Sequence, residues 1–527
     1  MISSIFIVST LLGLPTLLAS ILSQTELWQR KEYRADRLSA ALTAPELSQS
    51  LLIYALALVL AVIGWSALAL GSLRQPDIMG LASLSLLFCH HALRIKYRGL
   101  YRPQLTLKAI LLLATVTLIT IAYMWHSAFP LLTPALHWAT IVLLVPVFTI
   151  IGVNIVNLTV NWRKHQIINQ AGILRQSLPN LTVVGITGSY GKTSTKHFLS
   201  QLLPPATVSQ DHRNSEFSIA QDMLEQLNDK TQIYIVEMGA YRRGEIKELA
   251  KLTQPRLGLI TAIGNQHLAT FGSLTNIVKA KRELIEALPK DGVAILNADD
   301  NQLQKQRAAL LGGRSLKHIN YSIKHPADVF VDSAVVKARS IFCRLHIKDL
   351  SYDVEIPLAG EAALSNVVAA VAVAHTLGAD NSQIISRLKQ LKPYPRTMEV
   401  VITKEGSTVI DDSYSANEHG VLAALDHLQH FSQPDKRIIL VPLIELGREA
   451  KAVHQRIGRA LAASGATVYV YGGAYQKELA AAGSRNHVHF IAHPPELIKK
   501  ATQNLSDNTV ILLEGRIPEV VRKNIIA

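Results

Sequence analysis

The sequence predicts a protein in two parts: an α-helical transmembrane region, followed by an α/β region with mostly parallel sheets. Two observations lead to this prediction. Apolar runs of membrane-spanning length are concentrated before about residue 160. After about residue 165, strands rich in β-branched residues alternate with helical segments. Such alternation is typical of parallel sheets, because a tight hairpin cannot join two strands that run in the same direction.

The composition of the 527-residue chain agrees with a membrane part. Hydrophobic residues make up 49% and charged residues 17%, whereas soluble domains have about 25% charged residues. These values exclude a disordered chain, and the two cysteines exclude a disulfide framework or a zinc ribbon. The net charge of +14 is compatible with nucleic acid, an anionic membrane surface or a phosphorylated substrate.

Five apolar runs predict about five membrane-spanning helices within residues 1–163. An apolar helix of about 20 residues crosses a bilayer, and four runs reach that length comfortably. The third is shorter and contains His90 and His91. The first lacks a basic stretch before it and contains Pro15, so we interpret it as an anchor and not a signal peptide. The runs cover residues 2–22, 51–73, 78–93, 107–125 and 136–158.

The charges of the loops predict how these helices are oriented. Basic residues follow the first, third and fifth runs, whereas residues 126–135 contain no Lys or Arg. Cytoplasmic loops are enriched in Lys and Arg. We therefore expect a multi-pass plasma-membrane protein whose N-terminus is outside and whose chain after residue 163 is cytoplasmic. The helices either act only as an anchor in membrane lipid or bind a lipid-linked partner or substrate.

After the last apolar run, the pattern predicts two α/β domains whose sheets are covered by helices on both faces. The boundary is placed at the segment Lys392-Pro393-Tyr394-Pro395, because two prolines interrupt periodic structure. The expected domains are therefore 1–163, 164–393 and 394–527. The predicted strands are 181–187, 233–238, 257–262 and 293–297, and then 408–411, 437–442, 467–471, 487–491 and 509–513.

A glycine-rich turn after the first of these strands predicts a phosphate site. The run Gly185-Ile-Thr-Gly-Ser-Tyr-Gly-Lys-Thr-Ser194 has the short form T-G-x-x-G-K-T-[ST]. Backbone N–H groups in such a turn and at the start of the next helix cradle phosphates. The lysine can reach the β- and γ-phosphates, and the first hydroxyl can ligate Mg²⁺. The predicted phosphate-binding residues are Gly188, Ser189, Gly191, Lys192, Thr193 and Ser194.

Further motifs follow this loop in order, and together they resemble the Mur ligase family, which shares the short loop with folylpolyglutamate synthetases. The last motif resembles the form found in the branch that adds D-alanyl-D-alanine. The resemblance covers about residues 165–527. The motifs are VEMGA at 236–240, GNQHL at 264–268, KAKRE at 279–283, GEAALSNVVAA at 360–370 and DDSYSAN at 411–417.

The resemblance implies an ATP-dependent amide ligase of cell-wall peptidoglycan precursor synthesis. Family members phosphorylate a carboxylate with ATP, and an amine then displaces the phosphate, so that ADP and phosphate are released. The implied partners are ATP, a UDP-linked or lipid-linked peptide acceptor, and an amino acid or dipeptide amine such as D-alanyl-D-alanine. The implied fold is a P-loop central ATPase domain with a mostly parallel sheet, followed by a C-terminal Rossmann-like α/β domain.

The resemblance also implies roles for single residues. Thr193 and Glu237 would hold one Mg²⁺ and His267 would help to hold a second, since hard cations prefer oxygen ligands but accept others. Lys281 matches the lysine that is carbamylated in the family, which converts an ammonium into an oxygen ligand. The implied catalytic residues are Lys192, Glu237, His267 and Lys281; the implied metal ligands are Thr193, Glu237, His267 and Lys281; the implied nucleotide contacts beyond the loop are Asn214, Asn366, Arg396 and Asp412.

For some of these residues the sequence also allows an interpretation in which the side chain has no functional role. Lys281 is alternatively a solvated helix lysine, and Asn214 a turn residue. His454 is a candidate substrate contact or a surface histidine of a helix.

The chain departs from the family at two places. Membrane spans stand where the family has a small UDP-binding domain, and Glu514-Gly-Arg516 replaces a Lys-Gly-Ser-Arg run. These departures fit a lipid-linked acceptor or a different amine.

Three other functions stay open. A membrane poly-γ-glutamate-type ligase is the nearest, and the DDSYSAN run argues for the peptide ligase. An ATP-driven transporter needs polar groups inside its spans, and these are few, essentially His90 and His91. An inactive scaffold is disfavoured by the intact candidate catalytic residues. Nucleic acid is not an expected partner, because the soluble part has no basic–aromatic cluster.

Overall fold

The structure is a computed structural model in which the chain forms two compact units, Met1–Gln166 and Ile167–Ala527. Each unit has its own hydrophobic core. The structure describes residues 2–30, 33, 45–69, 77–98, 101–126, 133–264, 268–311, 316–414, 417–444, 446, 449–480 and 487–526.

The first unit is helical. All five of its described long helices are long and apolar enough to cross a membrane. Leu84, Leu87 and Leu112 are fully buried between them, whereas Leu11 and Leu52 point outward and are mostly exposed. A continuous apolar exterior suits lipid better than water. The helices are α1 Ile2–Arg30, α2 Pro45–Ala69, α3 Asp77–Arg98, α4 Leu107–His126 and α5 Pro134–Ser177.

The buried side chain of His91 is hydrogen-bonded through both of its ring nitrogens. His91 contacts the Tyr54 hydroxyl through Nε2 at 3.2 Å and the Tyr101 hydroxyl through Nδ1 at 2.8 Å. The Tyr54 hydroxyl lies 3.1 Å from that of Ser20. Because a polar group away from water is costly unless it is hydrogen-bonded, these contacts give His91 a structural role between the helices.

The second unit begins with a large mixed sheet. Among the described residues its order is β2-β3-β1-β4-β5-β6-β7-β8-β9. The pairings from β2 to β7 are parallel, and β8 and β9 extend the sheet in antiparallel fashion. The strands are β1 Thr182–Thr187, β2 Thr207–Val208, β3 Ile233–Glu237, β4 Leu257–Ile260, β5 Val293–Asn297, β6 Lys317–Ser322, β7 Val329–Val336, β8 Ile341–Ile347 and β9 Leu350–Ile356.

Helices cover both faces of this sheet. One face packs against α6 and α12, and α12 is built from Ala and Val residues that are almost all buried. The other face packs against α7, α8 and α10. The helices are α6 Lys192–Leu202, α7 Glu216–Gln226, α8 Glu245–Thr253, α9 Leu268–Phe271, α10 Leu274–Glu286, α11 Asn301–Leu311, α12 Glu361–Thr376 and α13 Asn381–Leu388.

A second sheet follows in the C-terminal part, with the order β10-β11-β15-β12-β13-β14 among the described residues. Only the edge pairing of β10 with β11 is antiparallel in this described sheet. The strands are β10 Glu399–Ile402, β11 Thr408–Asp412, β12 Asp435–Leu440, β13 Thr467–Tyr471, β14 Val488–Ile491 and β15 Thr509–Glu514; the helices are α14 Glu418–Leu428, α15 Ala450–Ser464, α16 Gln476–Ala480, α17 Pro494–Ala501 and α18 Glu519–Ile526.

The predicted fold class is confirmed, and the predicted strands lie within a residue or two of the observed ones. The strands β2 and β6 to β10 are not among the predicted ones; β2 has only two residues. The side chains of β8 alternate between buried and exposed positions, and those of β10 are only partly buried or exposed. Such strands lack the continuous apolar run that made the central parallel strands recognisable.

The topology places several strand ends next to one another. The strand β1 lies between β3 and β4, and Ile186 is in register with Glu237. In the second sheet, Asp412 at the end of β11 is in register with Glu514 at the end of β15. Ligands of open α/β sheets bind beyond the carboxyl ends of the strands where the strand order reverses, and the loop after β1 lies at such a point.

Candidate functional site

The glycine-rich loop connects β1 to α6 and approaches its neighbours closely. At Gly188, which has φ of 153°, a Cβ atom would lie 2.0 Å from the Thr261 side-chain oxygen; at Gly191, with φ of 82°, it would lie 2.4 Å from Oδ1 of Asn366. The Ser189 N–H donates to the Ala262 carbonyl at 2.8 Å. No described side chain caps the start of α6, so its first N–H groups are available to an anion.

Lys192 begins α6 and is folded back onto the loop. Its Nζ donates a hydrogen bond to the Gly188 carbonyl at 2.8 Å. Burial lowers the pKa of the Lys192 ammonium, and the nearby Glu237 carboxylate opposes that shift. The ammonium is therefore held at the place where the loop would bring phosphate oxygens.

Thr193 and Glu237 form a pair of oxygen donors at the end of β3. The Thr193 hydroxyl donates to Oε2 of Glu237 at 2.9 Å. The Glu237 N–H donates to the Ser209 hydroxyl at 3.2 Å, and Nζ of Lys196 lies 3.8 Å from Oε2. The carboxylate is thus buried but balanced by a cation. Lys196 is not among the site residues predicted from the motifs. Its position four residues after Lys192 nevertheless places both lysines on one side of the helix.

Lys281 lies on the buried side of α10, where only 3% of its surface is exposed. The alternative of a solvated helix lysine is therefore wrong. Burial and, to a smaller extent, the charge of Lys192 lower the pKa of its amine to about 7, although the nearby Glu283, Glu245 and Glu237 oppose the shift. At neutral pH a large part of this amine is uncharged. Such a lowered pKa is typical of lysines that react as nucleophiles.

These groups meet in one small cleft. Asn214 precedes α7 and accepts the Gly239 N–H at its backbone carbonyl at 3.0 Å, and a Cβ at Gly239 would lie 2.9 Å from its side chain. The cleft combines backbone, amide and amine groups that suit a polyphosphate. Its lining includes Gly188, Ser189, Lys192, Asn214, Gly239 and Lys281.

A larger cavity of about 530 Å³ adjoins the other side of the loop. Tyr190 and His419 stack at its wall with ring centroids 5.3 Å apart. The Thr195 hydroxyl donates to the Asn366 side chain at 3.3 Å, which ties α6 to α12. The volume lies within the range of roughly 300–1,000 Å³ that is typical of small-molecule pockets. Of the predicted nucleotide contacts, the cavity is lined by Gly191, Ser194, Asn366 and Asp412.

Asp412 and Glu514 form a pair of buried carboxyl groups. Burial raises the pKa of Asp412, and burial together with the neighbouring Asp412 raises that of Glu514. One oxygen of Asp412 accepts the Met398 N–H at 3.2 Å. Neither carboxylate oxygen of Glu514 has a hydrogen-bond partner with good geometry among the described residues. Two adjacent buried carboxylates resist ionising together, so the pair retains a proton.

Three predicted residues lie elsewhere or cannot be placed. Arg396 donates to the Ser413 hydroxyl at 3.1 Å and lies 3.5 Å from Glu519, and it does not line the cavity. His267 lies outside the described residues. His454 is fully buried: its Nδ1 donates to the Ala450 carbonyl at 2.6 Å, and its Nε2 accepts the Leu443 N–H at 3.1 Å. The alternative of a surface histidine is wrong, and its contacts are structural.

The fold and the site define a P-loop α/β protein with a second α/β domain whose residues contribute to the cavity wall. Comparison with known proteins supports this class. Residues 186–374 match the Mur ligase middle domain, and residues 396–517 match the Mur ligase glutamate ligase domain. The chain belongs to the Mur ligase family.

Relatives and a solved structure agree with this assignment. The UDP-N-acetylmuramoyl-tripeptide–D-alanyl-D-alanine ligase of Mycobacterium tuberculosis is 34% identical over 53% of this chain, which spans 56% of that protein. The enzyme of that name from Buchnera aphidicola is 30% identical over 63% of this chain and 72% of its own length. The crystal structure of MurF from Acinetobacter baumannii superimposes with a TM-score of 0.63 at 25% identity, covering 69% of this chain and 80% of that one.

The close approach at Gly191 gives a test of the loop. Gly191→Ala and the control Gly272→Ala both place a side chain at positive φ, which costs about 1–2 kcal/mol, but only Gly191 has a neighbour within 4 Å. We expect both variants to lose stability in thermal unfolding, and Gly191→Ala to lose more because its Cβ also meets Asn366 at 2.4 Å. Only Gly191→Ala is expected to lose ADP binding measured by calorimetry, because its Cβ displaces Asn366. Equal ADP affinity in the two variants would contradict the assignment of the loop.

Proposed function

We propose that the protein is a membrane-anchored, ATP-dependent amide ligase of peptidoglycan precursor synthesis. It activates the carboxylate of a peptide acceptor as an acyl phosphate and joins it to an amine such as D-alanyl-D-alanine. The observation that carries the proposal is the cleft in which Lys192, Asn214 and Lys281 converge beside the Thr193–Glu237 pair. The names of the relatives support the choice of reaction and substrates.

The residues fit ATP and Mg²⁺ by the chemistry of their donor groups. Thr193 and Glu237 offer oxygen atoms, which Mg²⁺ prefers. Among the described residues, no group of three or more His, Cys, Asp and Glu side chains could hold a metal ion, so the nucleotide and water would complete the coordination. The adjoining cavity, which Asn366 and Asp412 line, would hold the nucleoside. Arg396 is proposed as a further contact at the ribose or phosphates, and His267 as a ligand of a second ion.

Phosphoryl transfer between anions depends on positioning and charge neutralisation. Bound Mg²⁺ neutralises charge on the phosphates. Lys192 supplies a cation next to the loop, and the loop N–H groups fix the phosphate oxygens. Asn214 supplies an amide on the opposite wall of the cleft, where it orients the terminal phosphate. Lys196 lies 3.8 Å from Oε2 of Glu237 and supplies a cation next to this buried carboxylate.

Lys281 is proposed to act as a carbamate. A carbamate forms when an uncharged amine adds to CO₂ and loses a proton. The pKa of about 7 leaves much of the Lys281 amine uncharged at neutral pH. The resulting anion would lie beside the Lys192 ammonium, which would stabilise it. Carbamate formation is therefore favoured as the pH rises through 7 and is lost as the pH falls below it.

The proposed location of the protein in the membrane is supported by the helices of the first unit. Its five described helices meet the length and apolar composition of membrane spans, and the loop charges support a cytoplasmic location of the ligase domains. The protein is therefore proposed to act at the cytoplasmic face of the plasma membrane, where either a UDP-linked or a lipid-linked acceptor is accessible.

An acceptor screen tests the reaction. We expect the purified protein to convert ATP to ADP and phosphate only when a carboxylate acceptor and an amine are both present. A UDP-linked muropeptide, a lipid-linked muropeptide and a glutamate polymer are compared as acceptors, with D-alanyl-D-alanine or glutamate as the amine. Phosphate release and product mass are measured. Production of AMP, or turnover that needs no acceptor and drives solute uptake, would contradict the ligase.

The carbamate is tested by Lys281→Ala, with Lys279→Ala as a control because Lys279 is exposed on the same helix. We expect Lys281→Ala to lower the ligase rate by about 10–100-fold, the loss typical when a residue that supports a metal site is removed, and short carboxylic acids to restore part of it. The parent rate should increase between pH 6 and 8 in the presence of bicarbonate. Unchanged activity in Lys281→Ala, or equal losses in both variants, would rule the carbamate out.

The membrane orientation is tested with single cysteines in a chain whose Cys89 and Cys343 are replaced by serine. An impermeant thiol reagent is expected to label Ser3→Cys in intact cells and Ser177→Cys only after lysis. Ser177 is exposed at the end of α5. Labelling of Ser177→Cys in intact cells would reverse the proposed orientation, and recovery of the chain in the soluble fraction would exclude a membrane protein.

A further inference from the structure

Lys196 is a buried lysine that lies one helical turn after Lys192 on α6. Only 3% of its surface is exposed. Its Nζ donates to the Ser209 carbonyl at 2.7 Å, and it lies 3.4 Å from Oδ1 of Asp211 and 3.8 Å from Oε2 of Glu237. Because a buried ammonium is costly without such partners, its charge is committed to these three oxygen atoms.

The first two of these atoms belong to residues 209–214, which we call the connecting segment because it leads from β2 to Asn214. The strand β2 has only two residues, which pair with β3. Beyond it, the Ser209 N–H still donates to a carbonyl of β3 at 2.9 Å, and at the other end the Asn214 carbonyl accepts the Gly239 N–H at 3.0 Å. Lys196 contacts the first and third residues of the segment. It therefore holds the segment that carries a predicted phosphate contact.

The third atom belongs to Glu237, a candidate magnesium ligand. Its Oε2 accepts the Thr193 hydroxyl at 2.9 Å. The Glu237 N–H donates to the Ser209 hydroxyl at 3.2 Å, so the residue that accepts a hydrogen bond from Lys196 also holds the Glu237 backbone. At 3.8 Å the ammonium is too far from Oε2 for a hydrogen bond. It attracts the carboxylate and leaves the lone pairs of that oxygen to other partners.

The three oxygen atoms offer the Nζ atom the surroundings of a bound cation. Carboxylate and carbonyl oxygens are the ligands that hard cations prefer, and here a side chain of the protein takes that place. The Asp211 side chain is 53% exposed and that of Glu237 is 8% exposed, so the ammonium connects a carboxylate near the solvent with a buried one. Because the charge is attached to α6, it is present before any nucleotide or Mg²⁺ binds.

We propose that Lys196 is a positioning residue whose ammonium is a resident cation: it holds Glu237 and the connecting segment in the arrangement that binds Mg²⁺ together with the nucleotide. The inference rests on the proposed function and deepens it. Lys192 faces the phosphates from the first turn of α6, whereas Lys196 would act on the metal ligand from the second. Removal of residues that orient metal ligands typically lowers metal affinity about 10–100-fold.

The test is Lys196→Ala with chemical rescue, and its readout is binding and not turnover. ADP affinity is measured by calorimetry with and without Mg²⁺. We expect the enhancement of ADP affinity by Mg²⁺ to fall about 10-fold, and propylammonium to restore part of it, because it replaces the missing part of the side chain. The exposed side of Asp211 lets a small amine enter. The matched control is Lys251→Ala, an exposed lysine on α8, which should keep the parental enhancement.

Tetramethylammonium at the same ionic strength separates a positioned cation from charge screening. It carries the same charge but has no N–H group to donate, so we expect no rescue. Lys196→Met is a second variant, which fills the position with an apolar side chain and so keeps the core packed. It should lose the same enhancement, and propylammonium should not restore it because the position is occupied.

Parental enhancement by Mg²⁺ in folded Lys196→Ala and Lys196→Met would overturn the inference. Equal rescue of Lys196→Ala by the two ammonium ions, or a loss that neither of them restores, would also overturn it, because the ammonium would then have no specific position. If the parent protein itself does not bind ADP with Mg²⁺, the proposed function fails, which is a different result.

Discussion

The site depends on the close approach between the phosphate loop and its neighbours. No side chain fits at Gly188 because of Thr261, or at Gly191 because of Asn366. This approach lets α6 start directly at the ends of three parallel strands, with its first N–H groups turned toward the cleft. The contact between α6 and α12, through Thr195 and Asn366, then determines where the nucleoside cavity begins. The candidate site therefore depends on a loop that has no room for a side chain at Gly188 or Gly191.

Electrostatics impose a second constraint, because Lys192 and Lys281 line the same small cleft. Lys196 is paired with Glu237 and Asp211, whereas burial lowers the pKa of both Lys192 and Lys281, and the charge of Lys192 adds to the lowering at Lys281. Buried charges of one sign are unfavourable without compensation. Phosphate groups, and a carbamate at Lys281, would supply the missing negative charge. The cleft is therefore arranged for anions, and part of its stability would come from the ligands.

The sequence predicted the phosphate side of the site better than the rest, and the physical reason is its local character. The loop, Glu237 and Lys281 each belong to a short motif next to a strongly apolar strand or helix, so their placement follows from local periodicity. The strand β2 escaped prediction because it has only two residues, and β6 to β10 escaped it because their side chains alternate or are only partly buried. The role of Lys196 depends on contacts with distant segments, as does the salt bridge that draws Arg396 toward Glu519. Periodicity along the chain carries no information about such contacts.

The two departures from the family motifs lie in the first unit and at the end of β15. Long apolar helices occupy the N-terminal region, and Glu514 stands where a lysine is usual. The structure places Glu514 at the end of β15, 1% exposed and next to Asp412. Because the two carboxyls retain a proton, this edge presents a hydrogen-bond donor and at most one negative charge in place of an ammonium. An ammonium only donates hydrogen bonds, whereas this pair offers one proton to donate and several oxygen atoms that accept. The edge of the cavity that Asp412 lines therefore differs in charge from one with a lysine, while the phosphate loop keeps its motif.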